Sequence, residues 1–256
     1  MPLAQWPNKG GCYVSGMSGG NTFNFPTVKA YLSSMRTPNY SRQNMNEVDT
    51  DYWIRGTLNS GQFNQFQERV TWIDRLSNQL RIAVEDGNTG DLARQANFNS
   101  IGTGRFNLVN SLWELDSPGE YYFDRGTKKL YFYPPAILAG NRPYVSMTPG
   151  PVVNMFGVKY LDWQGFTIEG GRQHGIKVTN GTSVIVRGCI VRNCGQNGVH
   201  VVGGNAVTVK SCEITQTGET GIHLEGGVRA SLTRGNHLAE NNYVHNVGAV
   251  QPYYRP

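Results

Sequence analysis

The chain contains no apolar run of about 18 residues, so no segment of it reads as a helix that crosses a membrane. Charged residues are scarce, at 16%, and 23 basic against 18 acidic side chains leave a formal net charge of +5. That excess is mild and does not call for a polyanionic partner. Four cysteines in 256 residues are too few for a disulfide scaffold. No phosphate-cradling loop, dinucleotide fingerprint or nucleic-acid motif is found, so no cofactor and no nucleic-acid partner are expected. The opening Met1 to Trp6 lacks the basic and apolar character of a secretory leader. Histidine is absent before residue 174, and all five (His174, His200, His223, His237 and His245) fall in the last third.

Glycine, by contrast, is plentiful at 32 residues, and part of it is periodic. His174-Gly175-Ile176-Lys177-Val178, Asn197-Gly198-Val199-His200-Val201 and Thr220-Gly221-Ile222-His223-Leu224 align without gaps, their glycines 23 residues apart. A second register places Phe166, Cys189 and Cys212 at the same step of 23, and Asn242-Tyr243-Val244 resumes it after a longer interval. A fixed period of this size marks a solenoid, in which each repeat buries its apolar side against the next. Within each repeat, apolar and polar residues alternate with the strand period of two. Ile176, Val178, Val199, Val201, Ile222 and Leu224 form one inward set. Val184, Val186, Val207, Val209, Cys189, Val191, Cys212 and Ile214 form others, with Leu161, Trp163, Phe166 and Ile168 in the first coil. Two or three strands per coil, stacked in parallel about 4.8 Å apart, describe a parallel β-helix. The longer interval between Gly221 and Asn242 predicts a seven-residue loop near Val228 to Asn236. Cys189 and Cys212 are expected to stack one coil apart, as reduced thiols in preference to a bridge.

Residues 1–47 read as an irregular segment, with one short helix at Thr27 to Met35. Residues 48–150 read as a β-rich subdomain. Its strands are expected at Tyr52 to Gly56, Glu68 to Ile73 and Gln79 to Val84, with a hairpin turn at Asp74 to Asn78 and a polar loop over 85–105. Glu120 to Asp124 and Leu130 to Tyr133 form a second, aromatic-rich hairpin. Pro149-Gly150-Pro151 marks the boundary to the coils of residues 151–256. The fold class is all-β: a right-handed parallel β-helix with coils of about 23 residues, preceded by a β-rich segment.

Several stretches carry a resemblance. Trp6-Pro7-Asn8, Tyr52 to Gly56, Ser117 to Asp124, Leu130 to Pro135, Gly188 to Asn193, Gly226-Gly227 with Ser231-Leu232-Thr233, and Asn241 to Asn246 are similar to right-handed parallel β-helix repeat proteins of the pectin lyase-like superfamily. That superfamily includes glycoside hydrolases and polysaccharide lyases. The resemblance implies a carbohydrate-active protein, with a full-length relative that is extracellular or periplasmic. It also implies a longer architecture of which this chain is a truncated portion. Val228 stands where relatives carry an acidic residue after the paired glycines. An uncapped last coil would expose an edge for self-association.

Chemistry is expected on the outer face of the coils. The residue between two inward ones points outward, which aligns Lys177, His200 and His223 in one column with Glu225 beside it. On the other sheet Glu169, Arg192, Thr215 and His245 form a second column, beside Thr167, Ile190, Glu213 and Tyr243. His223, Glu225 and His200 are the catalytic candidates, since histidine next to a carboxylate suits acid–base work. Lys177, Arg192, Tyr243 and His245 are the substrate-binding candidates. From residue 151 the one aspartate is Asp162, so an aspartate cluster of the polygalacturonase kind and a calcium site are both unsupported, and no metal is expected. The expected partner is a polysaccharide or oligosaccharide lying along the face, acted on by a glycoside hydrolase-like protein. A polysaccharide lyase and a non-catalytic glycan-binding or structural β-helix are the alternatives.

Overall fold

The computed structural model describes residues 105–140, 143 and 145–250, and ahead of them Tyr52 and the strands β1 to β8 given below. The chain divides into two compact units, Met1–Arg142 and Pro143–Pro256. The polar loop expected over 85–105, apart from Arg105, which begins a strand, and the helix expected at Thr27 to Met35 lie outside the described residues.

The first unit is antiparallel. Its strands are β1 (Gln5–Trp6), β2 (Cys12–Tyr13), β3 (Gly16–Ser18), β4 (Thr22–Asn24), β5 (Tyr40–Ser41), β6 (Trp53–Thr57), β7 (Gln65–Asp74), β8 (Gln79–Ile82) and β9 (Arg105–Val109). Five of these short strands fall in the stretch whose composition reads as irregular. The sheet order is β1-β9-β6-β7-β8-β4-β3, with β2 also on β9 and β5 also on β7. Strand β7 serves two partner sets because it bulges between Val70 and Trp72, its first part pairing with β6 and its second with β8. An extra residue of this kind bends a strand and lets it change neighbours. Tyr52, Ile54, Val70, Ile73, Leu80 and Leu108 are buried, following the alternation of the strands. Beyond β9, Ser111 caps a short 3-10 turn at Leu112–Glu114. The expected hairpin follows as β10 (Tyr121–Asp124) and β11 (Lys129–Phe132), paired from Tyr121 with Phe132 to Asp124 with Lys129. The Asp124 carboxylate accepts the Gly126 and Thr127 amides at 2.9 and 3.1 Å, which ties the turn.

The second unit is a parallel β-helix. Three four-stranded sheets run along it. The first holds β12 (Val153–Phe156), β15 (Ile176–Thr179), β18 (Val199–Val202) and β21 (Ile222–Glu225). The second holds β13 (Lys159–Gln164), β16 (Thr182–Arg187), β19 (Asn205–Lys210) and β22 (Leu238–Glu240). The third holds β14 (Thr167–Glu169), β17 (Ile190–Cys194), β20 (Glu213–Thr217) and β23 (Tyr243–His245). Registers advance by 23 residues per coil: Ile176 pairs with Val199 and Val199 with Ile222, as Val184 pairs with Val207 and Val191 with Ile214. The inward sets predicted from alternation form one continuous core, with Ile176, Val178, Val184, Val186, Val191, Val199, Val201, Val207, Val209 and Ile214 all fully buried.

Cys189 and Cys212 occupy equivalent places in successive coils and are buried free thiols, as is Cys194. The Glu213 amide donates to the Cys189 carbonyl and the Tyr243 amide to the Cys212 carbonyl, both at 2.9 Å. Phe166 is the departure. It is in line with Cys189, since the Ile190 amide donates to its carbonyl at 2.9 Å, yet its side chain is 50% exposed and not inward. It stacks on Trp163 at 4.5 Å between ring centroids. Period alone cannot distinguish it from Cys189, because a ring of this size does not fit where a thiol does. At the other end of the line Asn242 bonds both ways, accepting the Cys212 amide at 3.0 Å and donating to the Val209 carbonyl at 2.9 Å.

The expected loop is present. Leu238 pairs with Thr208, thirty residues earlier in place of the usual 23, and the intervening chain is largely exposed around a 3-10 turn at Arg229–Ser231.

Candidate functional site

The outward side of the β12-β15-β18-β21 sheet carries two columns. Asn154, Lys177, His200 and His223 are in register, as are Phe156, Thr179, Val202 and Glu225. Lys177, His200, His223 and Glu225 stand where the alternation predicts; Asn154 and Phe156, one period earlier, were not expected there, and Phe156 is 73% exposed. A large apolar ring on an outer strand face is a natural stacking platform for the apolar face of a sugar.

Three imidazoles meet on this face. The His200 and His223 ring centroids lie 4.8 Å apart, edge to face, and His174 and His200 lie 4.3 Å apart. His174 sits at the corner ahead of β15, not on the strand, and is buried. Its column through the coils is Asn197 and then Thr220. Each polar side chain here accepts the backbone amide of the next coil: Asn197 donates to Nδ1 of His174 at 3.4 Å, and Thr220 donates to Oδ1 of Asn197 at 3.1 Å. The signal in the sequence was the polar residue before each periodic glycine. Burial, reinforced by the nearby His200, Lys177 and His223, lowers the His174 pKa from 6.5 to about 4. Burial likewise lowers that of His200, with His223 and Lys177 acting in the same direction and Glu225 against it. Nε2 of His223 lies 3.6 Å from Oε2 of Glu225, a pair that is ionic when the imidazole is protonated. Lys177, His200, His223 and Glu225 are therefore brought together by the fold.

Arg192, Tyr243 and His245 lie on a different sheet, β14-β17-β20-β23, across a turn. Their column is in register as the alternation predicts: Glu169, Arg192, Thr215 and His245, beside Thr167, Ile190, Glu213 and Tyr243. Arg192 is paired with Glu169, Nε to Oε2 at 2.6 Å. His245 reaches Glu213 at 3.5 Å and stacks on the Tyr243 ring at 4.3 Å. Among the described residues no hydrogen bond or ion pair joins this group to the first.

A groove of about 620 Å³ runs over four coils at the corner between the second and third sheets, lined among others by Gln164, Arg187, Lys210 and Glu240. Its charges are largely matched in pairs. Arg187 forks onto Asp162 at 2.7 and 2.9 Å, and Lys210 approaches Glu240 at 3.9 Å. The groove lies away from the histidines, and size alone does not make it the site of chemistry. No group of three or more His, Cys, Asp or Glu able to hold a metal is found among the described residues.

Residues 153–243 match the family model described as a right handed beta helix region. With the three parallel sheets, this defines the class: residues 153–243 form a right-handed parallel β-helix. A solved structure named "Glycoside hydrolase" superposes with a TM-score of 0.63 at 11% identity, covering 98% of this chain. The chain spans 53% of that structure's length, and the likeness is one of fold. No curated protein sequence matches the chain.

Proposed function

We propose that this protein is a carbohydrate-engaging, glycoside hydrolase-like β-helix that takes an extended polysaccharide along the outer face of the β12-β15-β18-β21 sheet. The observation that carries the reading is the column of Lys177, His200 and His223 in strict coil register, with Glu225 held 3.6 Å from His223. Strands stacked at about 4.8 Å offer one polar side chain per coil, so successive sugars of a chain meet successive donors. Lys177 supplies a charged donor, the imidazoles supply directional ones, and Phe156 supplies a ring for stacking. Glu225, with His223 beside it, is the group placed to exchange a proton with a glycosidic oxygen.

One observation favours a second reading, binding without turnover. Glycoside hydrolysis ordinarily uses two carboxyl groups about 5 to 9.5 Å apart. Among the described residues the two outward columns of this sheet contain one, Glu225. The lyase alternative draws less support, because Lys177 and Arg192 stand on different sheets and Arg192 already holds Glu169.

Incubation with a panel of neutral and acidic polysaccharides, read by retention in affinity gels and by reducing-end release, tests the proposal. Retention that Lys177→Ala weakens supports engagement at this face, and sugar release abolished by Glu225→Gln supports hydrolysis. Retention without release supports the binding reading. An ultraviolet-absorbing unsaturated end would point to a lyase, and no retention at all would refute the proposal.

A further inference from the structure

His174 lies outside the outward columns, yet its ring is tied into them. Nε2 of His174 and Nδ1 of His200 are 2.9 Å apart, a hydrogen bond that needs one proton and one lone pair. Which ring donates is decided on the far side of His174. There the backbone amide of Asn197 points at Nδ1 at 3.4 Å, and an amide can only donate. Nδ1 of His174 is therefore the lone pair, and the proton of the neutral ring is on Nε2.

We infer that His174 is a positioning residue, which donates from Nε2 to Nδ1 of His200 and so commits His200 to presenting an Nε2–H on the outer face. The inference rests on the reading that this face engages a glycan, and it names the part His200 plays there. His200 is a directional hydrogen-bond donor to a hydroxyl or carboxylate oxygen of the ligand. Its one basic lone pair is occupied by His174, so the acid–base role expected of it from the sequence falls to His223 and Glu225.

The surroundings keep the arrangement in one protonation state. His174 is 7% exposed, and the charged or titratable groups that face it are Lys177 from β15, His200 from β18 and His223 from β21. All three are cationic or become so on protonation, which opposes a positive charge on His174. His200 faces His174, His223, Lys177 and Glu225, and only the last favours its charged form. An imidazolium at His200 would also direct a second N–H at the N–H of His174, which disfavours that state.

The test is a spectrum. Two-bond 1H–15N correlations of the imidazole rings distinguish protonated from bare nitrogen at each position. At pH 7 the wild-type protein is expected to show His174 and His200 as neutral Nε2–H tautomers, with His174 staying neutral to about pH 4. His174→Asn places at this corner the residue that the next coil already uses, Asn197, and retains an oxygen for the amide above. In that variant His200 is expected to lose its single tautomer and to titrate at a higher pH than in the wild type. Nδ1–H at His200 in the wild type, or no change of tautomer in the variant, would overturn the inference. If the variant fails to fold, the wild-type spectrum alone decides. None of these signals needs a ligand, so a failure to bind glycans would strike the proposed function and leave this assignment standing.

Discussion

The α-carbon of Gly198 faces the carbonyl of Gly221 so closely that a β-carbon built on Gly198 would lie 2.8 Å from that oxygen. The same would hold between Gly175 and Gly198, again at 2.8 Å, and both positions also press on core side chains, Ile214 and Val191. The periodic glycines are thus required by the spacing of successive coils, and not by an unusual backbone angle. Gly198→Ala is expected to destabilise the protein by about 1–3 kcal/mol, as overpacking does. Chemical denaturation followed by far-ultraviolet circular dichroism checks this, and an unchanged midpoint would show that the coils can separate at no cost.

Arg192 and Glu169 make an exposed pair, with side chains 45% and 39% accessible. Such pairs contribute about 0–1 kcal/mol. Arg192→Ala is therefore expected to shift the denaturation midpoint slightly and to leave glycan retention near wild type. A loss of retention as large as that of Lys177→Ala would show that both sheets contribute to one site.

Burial pushes the Cys194 thiol up to about 11, and it raises that of Cys212 as well. At pH 8 neither offers an appreciable thiolate fraction, and reactivity follows the thiolate. Site-resolved mass spectrometry after iodoacetamide treatment should find Cys189, Cys194 and Cys212 unmodified in the folded protein and modified in denaturant. Rapid labelling of Cys194 under native conditions would contradict its place in the core.

Much of this architecture was legible because a β-helix writes its register into the chain. Gly175, Gly198 and Gly221 recur at one step, and Lys177, His200 and His223 inherit it, so which side chains share a column follows from counting. What counting does not provide is environment. Phe166 and Cys189 hold equivalent positions, yet one is half exposed and the other buried, because ring size and coil neighbours decide packing. His174 was visible as a residue before a periodic glycine, but its bond to His200 depends on how a corner folds back over the strand. The separation of Arg192, Tyr243 and His245 from the histidine column was legible as well, because they follow the register of Cys189 and Cys212 and not that of the periodic glycines.

The buried state of His174 has a consequence for stability. Its pKa in the unfolded chain is 6.5 and in the fold about 4, so between these values the unfolded chain binds more protons. Stability therefore rises with pH through this window and falls as the pH is lowered from about 6.5 toward 4. The lowered value of His200 acts in the same direction. Denaturation midpoints measured at half-unit steps from pH 7.5 to about pH 4 should decline in the wild type and decline less steeply in His174→Asn. Parallel curves for the two proteins would mean that His174 is not held neutral by the fold.

The proposed ligand, an extended glycan, would lie on the Lys177, His200 and His223 column. Isothermal titration of the folded protein with whichever polysaccharide fragment it retains, compared among wild type, Lys177→Ala, His223→Ala and Arg192→Ala, tests it most directly. Affinity should fall about tenfold or more, roughly 1.4 kcal/mol, for each of the first two substitutions and stay within about twofold for the third. Unchanged affinity in Lys177→Ala and His223→Ala, with binding lost in Arg192→Ala, would place the ligand on the other sheet and contradict the account.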